Sequence, residues 1–239
     1  MTRVAVVGAH GRMGSVTSSA VDEDDELELV ARVGSRDSLE AVLDNGADVA
    51  VEFTTPDSVT ANAKWLLERG VHVVVGATGL SDEDLADIER RCGPANCLVA
   101  PNFSVGAVLM MRMAAEAARH LPQAEVIERH RPGKADAPSG TAMRTARMIS
   151  EARGEAPPPP GDQAARGERV DGVPVHSVRL PGYVASQEVV LGGTGETLTL
   201  SHNTIDRSAF MPGVLLAVKR IESMPGLTVG LDGVLWMER

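Results

Sequence analysis

Short apolar runs rich in valine recur through the N-terminal part of the chain, and each is followed by a polar or glycine turn and then a segment with helical periodicity. The runs cover residues 3–7, 28–33, 49–53, 71–75 and 97–100. Their length and composition are typical of strands buried on both faces of a parallel sheet. Repeated alternation with short loops predicts an α/β fold with a Rossmann-like, doubly wound parallel sheet.

The pattern changes after residue 103. Residues 105–118 are apolar on nearly every side, which predicts a buried helix that joins two domains. A strand over 125–130 and three later β-rich segments predict an open, four-stranded mixed sheet, and a closing helix is expected over 209–221. The β-rich segments are residues 173–180, 186–191 and 197–202. The consecutive prolines at 157–160 predict an extended surface loop.

These patterns divide the chain into two domains, the first of them interrupted. Residues 1–103 and 209–239 are expected to form a dinucleotide-binding domain. Residues 104–208 are expected to form an α+β domain for substrate binding and oligomerisation, since an open sheet needs its face or edge covered.

The first apolar run leads into a turn with glycines at three-residue intervals, Gly8, Gly11 and Gly14. A strand, a glycine turn and a helix in that order are the context of a dinucleotide-binding fingerprint. The spacing is GxxGxxG rather than GxGxxG, so a plain glycine-rich turn between strand and helix remains the alternative.

The second apolar run ends at Gly34, Ser35 and Arg36. An acidic residue usually binds the ribose 2′-hydroxyl of NAD at this place, whereas a hydroxyl and an arginine can bind the 2′-phosphate of NADP. We therefore predict that NADPH is used at least as well as NADH. The alternative is an ordinary exposed arginine in a loop.

A cluster of cationic and titratable side chains follows the strand over 125–130. His130, Arg131 and Lys134 lie within five positions, and Ser139 then reads as the N-cap of a helix that includes Gly140 and Thr141. A helix start and fixed cations bind anions, and histidine is a proton donor near neutral pH. The cluster predicts a site where a carboxylate substrate receives a proton. The alternative is a solvated basic turn before a capped helix.

Composition narrows the class of function. The net charge of −10 argues against a general nucleic-acid or anionic-membrane binder, since both partners need a basic face. No apolar run approaches a membrane span and no signal-like segment opens the chain, so we expect a cytoplasmic protein. Cys92 and Cys97 are expected to be reduced thiols, and neither they nor the scattered histidines have the spacing of a metal site.

Five runs of the chain, in the expected order, resemble the dihydrodipicolinate reductase family. They are VVGAHGRMG at 6–14, EFTTPD at 52–57, VGATG at 75–79, APNF at 100–103 and KADAPSGTA at 134–142. The last run is the most specific. The resemblance implies a homotetrameric enzyme of the diaminopimelate route to lysine, which reduces the cyclic dicarboxylate hydroxy-tetrahydrodipicolinate to tetrahydrodipicolinate with NADH or NADPH.

The resemblance also implies site residues. The implied cofactor contacts are Gly8, Ala9, His10, Gly11, Arg12, Met13, Gly76, Ala77, Thr78, Ala100, Pro101, Asn102 and Phe103. The family's catalytic pair corresponds to His130 and Lys134, and we expect Arg131, Lys134, Gly140 and Thr141 to bind the substrate.

The chain departs from the family at Arg131, where a second histidine is usual. Arginine binds a carboxylate but does not donate a proton near neutral pH, so His130 is the expected donor. Two other functions remain open: a related reductase of another imine or oxo dicarboxylate, and a protein that senses NAD(P) without turnover.

Overall fold

The computed structural model describes residues 1–76, 80–154 and 164–236. The chain divides into two compact units, which are Met1–Val105 with Phe210–Arg239, and Gly106–Ala209. Among the described residues, none of the helices has the length and apolar character needed to cross a membrane.

The elements alternate through the first unit and then change in order. In chain order the strands are β1 Thr2–Val7, β2 Leu27–Val33, β3 Val49–Glu52, β4 His72–Val75, β5 Cys97–Val99, β6 Gln123–His130, β7 Glu168–Val170, β8 Val173–Arg179, β9 Ala185–Gly193, β10 Glu196–Thr204 and β11 Leu227–Val229. The helices are α1 Arg12–Asp22, α2 Ala41–Asp44, α3 Pro56–Leu67, α4 Asp82–Glu89, α5 Val105–Ala118, α6 Gly140–Arg153, α7 Met211–Arg220 and α8 Asp232–Leu235.

The first unit is built on a six-stranded sheet in the order β11-β5-β4-β3-β1-β2, and every pairing in it is parallel. The predicted doubly wound fold is therefore confirmed. The runs in β1, β3, β4 and β5 are mostly buried, and on one face Ala5, Val73 and Cys97 pack with Val59 and other residues of α3. The run in the edge strand β2 is not buried on both faces as predicted, because only Leu27 and Val33 of that strand are buried. Successive strands are added in opposite directions on either side of β1, and a ligand site is expected at the carboxyl ends of β1 and β3.

The second unit is built on a five-stranded mixed sheet in the order β10-β9-β6-β8-β7. The central strand β6 pairs antiparallel with β9 and parallel with β8. The predicted count of four strands is wrong, because β7 adds a short antiparallel edge strand. β7 has only three residues, too few for the alternation of apolar and polar positions that identifies a strand.

Three other expectations need correction. The first sheet gains β11, which was not predicted from its three residues. The closing helix is shorter than expected: α7 is flanked by single turns of 3₁₀-helix at Arg207–Phe210 and Ile221–Ser223. Helix α5 is not buried all round, because the side chains of Leu109 and Met113 are exposed by 37% and 55%. A run of apolar residues does not by itself show which face of a helix is covered.

Candidate active site

The turn after β1 requires its glycines. Gly8 has a φ of +80°, and a Cβ added to it would lie 2.7 Å from the carbonyl oxygen of Phe53. A Cβ on Gly14 would lie 2.1 Å from the carbonyl oxygen of Gly8. The chain therefore turns tightly from β1 into α1, and only glycine fits at these two positions. This is the backbone geometry that a dinucleotide-binding turn needs.

The start of α1 is open to an anion. Gly11 is its N-cap, no side chain in the described part of the chain caps it, and its first turn carries no acidic residue. Helix α4 differs, because Ser81 and Asp84 form a complete capping box there. The amides at the start of α1, from Arg12 and Met13 onward, can therefore hold a phosphate. The backbone of Ala9 is part of the same turn, and its side chain is buried.

The end of β2 carries an acidic group that the sequence analysis missed. Ser35 and Arg36 are both exposed, as expected of a loop. The carboxylate of Asp37 folds back and accepts a hydrogen bond from the Gly34 amide at 2.8 Å. His10 packs on Gly34, since a Cβ added there would lie 2.4 Å from the His10 ring. The signal was available, because Asp37 lies only three residues beyond Gly34.

The loops after β3, β4 and β5 meet around two aromatic rings. Phe53 and Phe103 pack edge to face with ring centroids 6.1 Å apart, and a Cβ on Gly76 would lie 1.9 Å from the Phe53 ring. Asn102 accepts a hydrogen bond from the Ser104 amide at 2.8 Å. Ala100 and Phe103 are buried, whereas Pro101 is exposed. Ala77 and Thr78, two of the predicted cofactor contacts, lie outside the described residues.

The second unit holds the predicted catalytic histidine at the carboxyl end of β6. Side chains two residues apart on a strand lie on the same face, so His130 is next to Glu128. The Nδ1 atom of His130 is in hydrogen-bond contact with Oε2 of Glu128. The imidazole is 14% exposed and the carboxylate is fully buried. The Nδ1 side of the His130 ring therefore faces a buried carboxylate inside the second unit.

Arg179 of β8 holds the same carboxylate. It pairs opposite His130 in the parallel register and donates to both oxygens of Glu128, at 2.9 Å from Nη1 and 2.8 Å from Nη2. The Ser139 amide also donates to Glu128, at 3.3 Å. Burial by itself would raise the pKa of Glu128, but hydrogen bonds from His130 and Arg179 outweigh it and lower the pKa to about 2. Glu128 is thus ionised at neutral pH.

The loop between β6 and α6 presents the predicted cations. The Nζ atom of Lys134 lies 2.8 Å from both carboxylate oxygens of Asp136. Arg131 is exposed, and its Nη1 lies 2.7 Å from where a Cβ on Gly133 would be. His130 and these cations follow one another on a single strand end and loop, as the sequence analysis expected.

Ser139 caps α6 as predicted: its hydroxyl accepts a hydrogen bond from the Ala142 amide at 3.2 Å. The first turn of the helix, which includes Gly140 and Thr141, has no acidic residue, and no described atom lies within 4 Å of a Cβ added to Gly140. This helix start is open to a substrate carboxylate.

Cys92 and Cys97 are both free thiols. Within residues 1–76, 80–154 and 164–236, no three His, Cys, Asp or Glu side chains are placed to hold a metal ion.

Two family descriptions match consecutive parts of the chain. "Dihydrodipicolinate reductase, N-terminus" matches residues 2–103, and "Dihydrodipicolinate reductase, C-terminus" matches residues 106–235. Together they account for nearly the whole sequence.

Individual reductases also match the chain along nearly its whole length. The 4-hydroxy-tetrahydrodipicolinate reductase of Mycolicibacterium vanbaalenii is 50% identical over 241 residues, which cover 98% of each chain. That of Streptomyces griseus is 51% identical over 243 residues, covering 98% of this chain and 97% of its own. Among solved structures, a dipicolinate-bound dihydrodipicolinate reductase from Paenisporosarcina sp. TG-14 matches with a TM-score of 0.85 at 36% identity, covering 98% of this chain and 99% of that one.

Proposed function

The chain belongs to the dihydrodipicolinate reductase family, and from that premise we propose that His130 donates the proton in its reaction. The activity is the NAD(P)H-dependent reduction of 4-hydroxy-tetrahydrodipicolinate to tetrahydrodipicolinate, in the diaminopimelate route to lysine. The reaction consumes one hydride and one proton, and the 4-hydroxyl group leaves as water. The observation that carries the assignment of His130 is its contact with the buried, ionised Glu128. Such a contact stabilises a charged imidazole, which is the form that has a proton to give.

The first unit fits a pyridine dinucleotide. Its glycine turn leaves no room for a Cβ, and the start of α1 is free of capping side chains in the described part of the chain. We assign the pyrophosphate to the backbone of residues 8–13, the adenosine ribose to residues 34–37, and the nicotinamide half to Gly76 and residues 100–103. When bound, the reduced nicotinamide supplies the hydride.

The second unit supplies the groups that bind and protonate the substrate. A dicarboxylate needs two cationic or amide-lined positions. We assign one to Lys134 and Arg131, and the other to the amides of Gly140 and Thr141 at the start of α6. His130 holds its proton on the nitrogen that does not face Glu128 and gives it up as the reduction proceeds. Lys134 also stabilises negative charge that develops in the substrate.

The arginine at position 131 favours substrate binding over proton transfer there. Its guanidinium stays charged at every physiological pH and binds a carboxylate through two parallel hydrogen bonds. We therefore assign Arg131 to affinity and His130 to turnover.

We also propose that the active form is a homotetramer that assembles through the second unit. The nine-residue strand β10 lies at one edge of its sheet and exposes Leu198, and Leu109 and Met113 of α5 are exposed as well. An edge strand with exposed apolar side chains is a site for pairing with another chain. Sedimentation of the purified protein tests this, and a monomer at micromolar concentration would contradict it.

We assign the reaction to the cytoplasm, where free thiols such as those of Cys92 and Cys97 persist. The net charge of −10 disfavours binding to nucleic acid or to an anionic membrane. A small dicarboxylate is the partner that the site chemistry favours.

The decisive experiment supplies the unstable substrate from the preceding synthase and follows the loss of absorbance of the reduced cofactor. We expect rapid turnover with that substrate. Tight binding of NADPH without turnover would instead indicate a sensing protein. Turnover of other cyclic imine or oxo dicarboxylates alone would indicate a related reductase.

A further inference from the structure

The region behind His130 contains a buried arrangement of three side chains from two strands. Both oxygens of Glu128 are engaged: Oε1 accepts from Arg179 and the Ser139 amide, and Oε2 contacts Arg179 and His130. The guanidinium and the amide are donors only, so Glu128 serves them as an acceptor.

We infer that Glu128, held by Arg179, is the positioning residue that keeps a hydrogen on Nδ1 of His130 and thereby presents Nε2 as the atom that delivers the proton. This inference rests on the proposed role of His130. An ionised carboxylate has no hydrogen to donate, so the hydrogen shared with the imidazole belongs to Nδ1. The low pKa of Glu128, about 2, agrees with this geometry.

Arg179 has a second effect in this arrangement. A carboxylate paired with histidine alone would stabilise the imidazolium strongly and hold back its proton. The Arg179 cation on the same carboxylate offsets part of that attraction. Arg179 also donates to the carbonyl oxygens of Lys134 at 3.3 Å and of Asp136 at 2.6 Å. It therefore ties the loop that carries Lys134 to the strand that carries His130.

The groups that face the pair come from the neighbouring strands, loop and helix, and they include the uncharged Ser177 of β8, whose side chain hydrogen-bonds to Glu128. The loop after β6 contributes the charges of Arg131, Lys134 and Asp136. Opposite Glu128 and His130, strand β9 places the uncharged Gln187 and Ala185, and α6 contributes its N-terminal backbone. Arg179 is the charged residue that β8 places opposite His130. The charged groups that these elements bring toward His130 are thus Glu128, Arg179, Arg131, Lys134 and Asp136.

Glu125 of β6 and His176 of β8 make a similar contact on the opposite face of the sheet, together with Arg166 from a 3₁₀ turn at Ala164–Arg166. Nε2 of His176 lies 2.8 Å from Oε2 of Glu125, and Arg166 bonds to Oε1 of that glutamate. Glu125 is three residues from Glu128, so strand alternation places it on the other face. Its side chain is 36% exposed, whereas that of Glu128 is fully buried. Glu125 therefore provides a control of the same chemistry in a solvated setting.

The first test is the pH profile of kcat/KM for Glu128→Gln, which keeps an acceptor for Nδ1–H but removes the charge. We expect the fall in rate at high pH to move to lower pH by about one unit, because the imidazolium loses its stabilising carboxylate. We expect KM to change less than kcat. Glu125→Gln, an equal loss of charge on the same strand, should leave the profile in place. A Glu128→Gln profile that superposes on the wild-type profile would overturn the inference.

The second test needs no variant of Glu128, so it holds even if Glu128→Gln does not fold. Nitrogen NMR of the uniformly labelled full-length chain reports which ring nitrogen of neutral His130 carries the hydrogen, with His130→Asn used to assign the signal. We expect the hydrogen on Nδ1. A hydrogen on Nε2 would exclude the positioning role of Glu128 while leaving the proposed function standing. Wild-type turnover by His130→Asn would instead exclude His130 as the proton donor.

Discussion

Among the residues that the structure describes, each of the two units buries one glutamate completely, and the two carboxyl groups are in opposite electrostatic situations. Glu52, at the end of β3, has no ion-pair partner among the described residues; burial raises its pKa to about 7 against the hydrogen bonds from Thr54. Glu128 has Arg179 and His130, and its pKa is lowered to about 2. Burial alone therefore does not decide the charge of a carboxyl group. The charged partners of the carboxyl group decide its charge, and of these two glutamates only Glu128 has such partners among the described residues.

The largest expected effect is a pair of opposite changes in stability. Glu128→Gln breaks a buried ion pair and is expected to lower the free energy of unfolding by about 3 kcal/mol. Glu52→Gln removes the cost of ionising an unpaired buried acid and is expected to raise that free energy by about 2 kcal/mol near pH 8. Urea unfolding of both variants measures the two values, and changes of the same sign would break the comparison.

The pH dependence of those changes follows from the two pKa values. The folded chain holds the proton of Glu52 up to about pH 7, while the unfolded chain releases it near 4.5. The contribution of Glu52 is therefore full below about pH 4.5 and falls by about 3 kcal/mol as pH rises to about 7. For Glu128 the contribution is full above about pH 4.5 and is lost as pH falls toward 2. Each Gln variant should flatten its own side of the stability profile.

The next effect concerns turnover, for which we propose residues of the second unit. His130→Ala is expected to lower kcat by about a hundredfold or more, the scale of lost general acid catalysis. His176→Ala, beside the exposed Glu125, should change kcat less than about twofold, because surface pairs contribute little. Steady-state assays with synthase-generated substrate measure both. Equal losses of kcat from the two variants would remove the distinction between His130 and His176.

A smaller effect should separate binding from proton transfer within the same loop. Arg131→Ala is expected to raise the KM for substrate by about tenfold with kcat within a few-fold of wild type, because a charged hydrogen bond to a carboxylate is lost. Arg131→Lys keeps the charge without the paired donors, so its KM should lie between the values of the wild type and of Arg131→Ala. A fall in kcat alone, at constant KM, would assign Arg131 to the chemical step instead.

The smallest expected effect concerns the choice between NADH and NADPH, which we expect to depend on the charges of Arg36 and Asp37 in the first unit. The sequence analysis predicts that NADPH serves at least as well as NADH, on the strength of Ser35 and Arg36. Asp37, at the Gly34 amide, opposes that preference because its carboxylate repels a 2′-phosphate. Asp37→Asn is expected to shift the ratio of kcat/KM toward NADPH by a few-fold, and Arg36→Ala toward NADH. Wild-type preference for NADH by tenfold or more would contradict the prediction from Ser35 and Arg36.

What could be predicted from the sequence was the part encoded within a few neighbouring residues. The glycine turn at Gly8, the cap at Ser139 and the order from His130 to Lys134 all rest on local spacing, and the valine runs identify strands by length and composition alone. The contact of Glu128 with His130 had a local signal that the sequence analysis missed, since the two residues are two positions apart on a predicted strand. The contact with Arg179 could not be predicted in this way, because Arg179 is 51 residues away and reaches Glu128 only when β6 and β8 pair. Strand pairing of that kind has no local signal. The three-residue strands β7 and β11 were missed for a related reason, since their neighbours in the sheet, not their own composition, hold them in place.

The sixth strand of the first sheet has a consequence for biosynthesis. β11 comes from Leu227–Val229 and pairs with β5, so the sheet lacks this strand until residue 229 has left the ribosome. The second unit is continuous in sequence and is complete earlier. We expect a nascent chain from which residue 209 has just emerged to contain a protease-resistant second unit, while the first gains full resistance only after β11 has emerged.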